Sequence, residues 1–227
     1  MIISAHQPQY IPWLGYFHKI LESDAFVFLE NVQYKKREFQ NRNKVRTKDG
    51  FIWLTVPVIS KGRYYQKIKD VEIDNTKPWQ RKHWESIKFN YNRAELFNDY
   101  AHFFERLYNE KWNRLLDLNV AIVKFLLDCF RIKTPIYFED NLNVNGEGTE
   151  RIIGICKRLD SKKYLSGTGG KGYLDEDLFE KNGIELIYQN FTHPEYKQTY
   201  DGFVPNLSAI DLLFNCGEKS MASLTGE

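Results

Sequence analysis

Four segments of the 227-residue chain carry residue types that could do chemistry. The first is HQPQYIPWLGYFHK, residues 6–19, which follows a short apolar run at Ile2–Ala5. Where a strand hands over to a helix, open backbone N–H groups and the helix dipole favour an anion. His6 there can donate to a phosphate or act as an acid or base near neutral pH, with Gln7 as an orienting donor. Tyr10, Trp13 and Tyr16 offer rings that could stack on a base or sugar. Pro8 and Pro12 bracket Tyr10 and stiffen the loop. The plainer alternative is that His6 and Gln7 cap the turn while the rings fill the core.

The second segment, KKREFQNRNKVR (35–46), is strongly basic. If Asn41, Arg42 and Asn43 lie on a strand, successive side chains point to opposite faces. One guanidinium and two amides then suit an anion or a carbonyl. A solvated basic face is an equal competitor. The third, YLSGTGGKGYL (164–174), reads as a strand, a glycine-rich loop and a lysine. Ser166, Gly167, Gly169 and Gly170 would let backbone approach a phosphate, and Lys171 would supply a point charge. It lacks the GxxxxGK[ST] spacing, so a ligand-free turn remains the alternative. In the fourth, YQNFTHPEYKQTYDGFVPNLSAIDLLFNCG, His193 lies on a loop after a strand end, and Asp211 stands among apolar neighbours. A buried Asp211 needs a partner. His18, His83 and His102 read as structural. No HExxH, GxSxG or Cys-His signature is present.

The elements that must hold these residues follow from the pattern. Ile2–Ala5, a helix within Trp13–Leu21 and a strand in AFVFL form a βαβ-like opening. NKVRTK and FIWLTVPVIS flank Asp49–Gly50, a hairpin signal. Ile68–Ile73 alternates and predicts a strand, and Pro78 opens a helical region reaching about Arg131. Strand and helix then alternate: IYF (136–138) before a polar loop, a helix over Glu150–Leu159, KKYLSG, a helix over Tyr173–Lys181 and the strand IELIYQ. Ser208 caps a last helix ending at Gly217. The expected class is α/β: a parallel-rich sheet with helices on both faces, plus an inserted hairpin and helical region at about 40–131 within one domain spanning 1–227.

Composition narrows the function classes. The formal charge of +2 argues against general duplex nucleic-acid binding, which draws its affinity from many phosphate contacts. No apolar run approaches the length of a transmembrane helix, and MIISAHQPQYIPW does not resemble a signal peptide. Cys129, Cys156 and Cys216 are widely spaced and lack CxxC, which fits free thiols in a reducing cytoplasm and argues against a zinc site; no metal is expected. The 16 Phe, 14 Tyr and 5 Trp can build a core, line a stacking pocket, or present a face that pairs two copies of the chain.

The runs HQPQYIPWLGYF, Asn41-Arg42-Asn43 leading to WLTVPV, YLSGTGG and FVPNLSAIDLLFNCG together resemble the WbqC-like family, in the family order and from end to end. That resemblance implies a protein of surface-polysaccharide (O-antigen) gene clusters, for which glycine transfer to an amino sugar has been suggested. The opening His-containing turn and the late Gly/Lys loop are also similar to HIGH-motif nucleotidylyl-transfer folds, although His6 is followed by Gln-Pro-Gln. That likeness implies ATP as a cosubstrate, a His that steadies its phosphates and a basic loop that closes on them. The resulting expectation is a cytoplasmic transferase or ligase joining a small acyl group, with glycine the candidate, to the amino sugar of a sugar nucleotide, with ATP, an aminoacyl-tRNA or a thioester supplying activation. A non-catalytic sugar-nucleotide-binding or scaffold protein of the same pathway is the alternative.

Overall fold

The computed structural model describes residues 1–225. In chain order the first elements are β1 (Ile2–His6), α1 (Leu14–Leu21), β2 (Ala25–Phe28), β3 (Arg42–Thr47) and β4 (Gly50–Thr55). Three helices follow: α2 (Trp79–Tyr91), α3 (Phe97–Asn109) and α4 (Leu115–Cys129). Then come β5 (Ile136–Phe138), α5 (Glu139–Leu142), α6 (Gly148–Arg158), β6 (Lys163–Ser166), α7 (Glu176–Lys181), β7 (Glu185–Tyr188), α8 (Ala209–Cys216) and α9 (Ser220–Thr225). The chain divides into two compact units. One takes in Met1–Pro8, Gly15–Val32 and Ile132–Thr192; the other takes in Gln9–Leu14, Gln33–Arg131 and the chain from His193 onward.

The first unit holds a five-stranded sheet in the order β5-β2-β1-β6-β7, parallel at every pairing. Alternation along the strands sends Ile3, Ala5, Ala25 and Val27 into one core with Ile152, Ile155 and Cys156 of α6 and Phe179 of α7. The opposite face presents Phe26 and Phe28, with Tyr16 of α1 edge-on to Phe26 at 5.6 Å between centroids. The sheet is therefore covered on both faces, as parallel sheets must be.

The second unit holds the antiparallel hairpin β3–β4, in register Lys44↔Trp53 and Thr47↔Gly50, and the helices α2–α4, α8 and α9. Gly50 takes φ +131° at the turn, a conformation L side chains rarely adopt. In α4 the residues Leu115, Leu118, Ile122, Val123 and Leu126 are all buried, following the helical period. Phe214 of α8 packs on Tyr91, Phe97 and Phe104 at 5.1–5.5 Å.

The strand expected over Ile68–Ile73 is replaced by a 3-10 turn at Ile68–Asp70 and isolated bridges Val58↔Ile73 and Glu72↔Arg114. Ile68 and Val71 are both buried. Their spacing of three is the period of a 3-10 turn, which puts them on one side, where a strand would send them to opposite faces. The segment expected as a polar loop after β5 begins with the short helix α5.

Candidate active site

In the first unit the chain winds outward from β1 through β2 to β5, then returns to the other side of β1 for β6 and β7. The direction of winding thus reverses between β1 and β6. In open α/β sheets that reversal opens a crevice beyond the carboxyl ends of the two strands, where nucleotides bind. His6 ends β1 and is followed by Gln7; Ser166 ends β6 and is followed by the glycine-rich turn.

His6 is fixed in a particular state. Its Nδ1 lies 3.1 Å from the Gln7 carbonyl, which can only accept, so Nδ1 carries the proton and Nε2 the lone pair. Its ring stands edge-on to Tyr16 at 5.1 Å, and the Tyr16 hydroxyl donates to the same carbonyl at 3.3 Å. Burial, with the nearby Lys19 ammonium, pushes the His6 imidazole down to about 3. His6 is thus neutral at physiological pH, an acceptor at Nε2 and not a cation. Lys19 is buried and donates to the Ala5 carbonyl at 3.1 Å, and burial brings its amine down to about 7. His18 accepts at Nδ1 from Gln189 Nε2 (3.0 Å) and packs on Phe191 at 5.0 Å. Gln189, just after β7, also donates to the Gly15 carbonyl at 2.9 Å.

The Thr168–Gly172 segment is a 3-10 turn. A Cβ on Gly167, Gly169 or Gly172 would meet nothing within 4 Å, so backbone is open to a ligand there. Gly170 is different: a Cβ would stand 2.1 Å from Ser166 Oγ and 3.0 Å from Leu174. The turn packs on β6 through that glycine. Lys171 is exposed, with Nζ 5.1 Å from the centre of the Tyr188 ring, whose hydroxyl donates to Glu176 at 2.6 Å. An open glycine backbone and an exposed lysine are a donor set that fits a polyphosphate.

The remaining residues singled out in the sequence lie in the second unit, where most are engaged with their own surroundings. Tyr10 is fully buried, its hydroxyl 2.8 Å from His83 Nδ1 and 2.5 Å from the Tyr108 hydroxyl; burial holds His83 at about 4 and neutral. Trp13 is half-buried and bridges Ser208 through its backbone. Asn41 donates to the Val56 carbonyl and Asn43 to the Ile11 carbonyl, both at 2.8 Å. Arg42 is half-buried, lies over Trp53 at 4.3 Å and donates through Nη2 to the Arg37 carbonyl. His193 donates to the Pro194 carbonyl at 2.8 Å and stacks on Tyr196. Asp211, with no exposure, accepts from the Tyr196 hydroxyl (2.7 Å) and Gln198 Nε2 (2.9 Å), and burial pushes its carboxyl up to about 6. Its carboxylate is thus held by the Tyr196 and Gln198 donors, and the Tyr91 hydroxyl and the Arg46 guanidinium also favour its charged form. Among the described residues no cluster of three or more His, Cys, Asp or Glu is placed to hold a metal ion.

The family model for WbqC-like proteins matches residues 7–223, almost the whole chain. The chain belongs to the WbqC-like protein family. It is also 35% identical over 216 residues to an uncharacterized protein of Mycobacterium tuberculosis (strain ATCC 25618 / H37Rv), covering 94% of this chain and 93% of that one. No solved structure matches at a significant level. Among the described residues of this WbqC-like protein, no helix is long and apolar enough to cross a membrane.

Three polar residues at these sites are not legible in sequence. Lys19 is hidden in an ordinary amphipathic helix. Glu30, just after β2, is buried and accepts from the backbone N–H groups of Glu139 and Asp140, capping α5 from 109 and 110 residues away. Arg46 is buried where a basic run suggests solvation; it donates to the carbonyls of Thr47, Gly50, Asp201 and Gly202 and to Gln198 Oε1. The only local signal is its place in β3 two residues beyond Lys44.

Proposed function

We propose that this WbqC-like protein is a transferase or ligase that attaches a small acyl group, with glycine the candidate, to the amino group of a nucleotide-linked sugar in surface-polysaccharide synthesis. The observation that supports it most is the reversal of strand order between β1 and β6, which brings His6, Gln7 and the Ser166–Lys171 turn to the ends of adjacent strands. In this reading the open backbone at Gly167, Gly169 and Gly172 and the Lys171 ammonium hold phosphate oxygens. ATP, when bound, would supply the activation that a free carboxylate lacks.

His6 would work as a neutral ring. Its Nε2 accepts a hydrogen bond from the incoming amine, which aims the amine lone pair at the acyl carbon. The C–N bond forms, the bond to the leaving group breaks, and one amine proton is released to water. Gln7, whose side-chain amide has no hydrogen-bond partner among the described residues, would donate to the acyl oxygen as negative charge develops on it.

The test is thermal stabilisation of the purified protein by ATP and by UDP- and dTDP-amino sugars. A rise in Tm with a nucleotide ligand is expected, reduced in Lys171→Ala. No rise with any of them would remove the crevice reading. If binding persists in His6→Ala and the surface glycan of cells carrying that variant is unchanged, the protein binds sugar nucleotides without catalysing.

A further inference from the structure

The basic run at residues 35–46 lies in the second unit, and its charge is unusually concentrated. Residues 35–49 contain seven Lys or Arg against two acidic residues, while the whole chain carries only +2. Arg46 is consumed internally by its carbonyl contacts. Lys35, Lys36, Arg37 and Lys48 are exposed, and Arg42 and Lys44 are half-buried.

Arg42 and Lys44 share a face of the hairpin with Phe51 and Trp53 of the facing strand, since Lys44 pairs directly with Trp53. The Arg42 guanidinium lies 4.3 Å from the Trp53 ring centre; Lys44 Nζ lies 4.5 Å from Phe51 and 5.4 Å from Trp53. Phe39 flanks Trp53 at 5.8 Å. Phe51 and Trp53 nonetheless remain 44% and 38% exposed, although large aromatics gain most when covered. Neither Arg42 nor Lys44 forms an ion pair among the described residues.

We infer that this face binds single-stranded nucleic acid, with RNA as the candidate. Two cations spaced by two residues on β3 stand beside two rings spaced by two residues on β4. A single strand has the matching layout, phosphates along one side and bases along the other. Cations over rings hold phosphates while the rings take stacked bases, the combination used by sequence-tolerant single-strand binders. A duplex, whose bases are already stacked, would use only the cations. The inference stands apart from the crevice reading, and its failure leaves that reading intact. An RNA-borne aminoacyl group is one activated donor such a face could receive.

The experiment is fluorescence anisotropy of a labelled single-stranded RNA of about 12 nucleotides with the full chain. Titrations run at several salt concentrations between about 50 and 200 mM. Trp53→Ala is expected to weaken binding about tenfold or more. Arg42→Gln with Lys44→Gln should lower the slope of log affinity against log salt by about 1.4, at about 0.7 for each phosphate no longer neutralised. Lys181→Gln, exposed in the other unit, should change neither, and an unchanged Tm shows that each variant is folded.

The inference fails if no RNA binds at the lowest salt, or if binding ignores both hairpin variants. It fails also if duplex DNA competes as well as single-stranded RNA. Binding of phosphatidylserine vesicles in place of RNA, abolished in the same variants, would make the partner a membrane surface. Conversion of a dimer to a monomer by Trp53→Ala in sedimentation, without RNA binding, would make it a second copy of the chain.

Discussion

At the scale of single residues, the polar groups that depart furthest from ordinary behaviour are buried. Asp211 has its carboxyl raised to about 6 because burial disfavours the charge more than the Tyr196, Tyr91 and Gln198 donors and the Arg46 guanidinium favour it. The unfolded chain ionises this group near 3.8 and the folded chain near 6. The native state therefore holds the proton more tightly, and stability falls by about 3 kcal/mol as pH rises through that window, then stays lower. Asp211→Asn keeps an oxygen for both donors and removes the charge. The variant should lose this component of the pH dependence, so that its stability no longer falls on this account between pH 4 and 7.5, as read by urea unfolding at the two pH values. A fall of stability between pH 4 and 7.5 as large as in the parent protein would show that Asp211 is not the group responsible. Arg46 is the opposite case, a buried cation whose donors are spread over four carbonyls and one amide. Lysine has three donors on one atom and cannot reproduce that fork. Arg46→Lys should cost about 2–4 kcal/mol in the same unfolding experiment, chiefly through carbonyls left dry.

At the scale of elements, the turn after β6 depends on one glycine. A methyl group on Gly170 would crowd Ser166 Oγ and stand 3.0 Å from Leu174 and 3.2 Å from Ser166 Cβ, so Ser166 must turn its hydroxyl away from the Gly167 carbonyl or the turn must lift off β6. Gly170→Ala should lower stability by about 1–3 kcal/mol and abolish nucleotide-induced stabilisation, while Gly167→Ala, with open space around it, should leave the fold intact. Paired Tm measurements with and without ATP separate the two effects. The same elements show how far the sequence can be read. Strands β1, β2, β6 and β7 announce themselves by short apolar runs, the hairpin by Asp49–Gly50, and α8 by Ser208, whose hydroxyl accepts from the Ile210 N–H. Ile68–Ile73 misleads because Val71 and Ile73 keep the alternation of a strand, while Ile68 and Val71 keep the three-residue spacing of the 3-10 turn that buries them. Helix α5 is hidden because the carboxylate that caps it, Glu30, is far away in sequence. Likewise His6 and Ser166 can be placed at strand ends from sequence, but the adjacency of those strands is a property of topology. Lys19 and Arg46 owe their character entirely to burial, which the pattern of a helix or a basic run does not reveal.

At the scale of the whole molecule, the second unit is not the simple insertion that its middle segment suggests. Residues 33–131 contain the hairpin and α2–α4, yet two distant stretches complete their core. Tyr10 supplies the hydroxyl that joins His83 to Tyr108, and the Ile11 carbonyl accepts from the buried Asn43. From the other end, α8 buries Ile210, Leu212, Leu213 and Phe214, the last against Tyr91, Phe97 and Phe104. The Ser208 N–H donates to the Lys44 carbonyl at 2.9 Å, tying that helix to β3. A fragment of 33–131 would therefore expose Tyr91, Phe97, Phe104 and Tyr108 and leave buried amides unpaired. Each large apolar side chain so exposed costs about 1.5–3 kcal/mol, and three of them rival the whole stability of a domain. The excised fragment should keep helical far-UV circular dichroism but lack near-UV signal and a cooperative urea transition. Adding a peptide of 193–225 alone should not restore that transition, because the Tyr10–Ile11 contacts would still be missing. A cooperative transition in the fragment by itself would mean that 33–131 is an autonomous domain and that the flanking stretches are accessory to it.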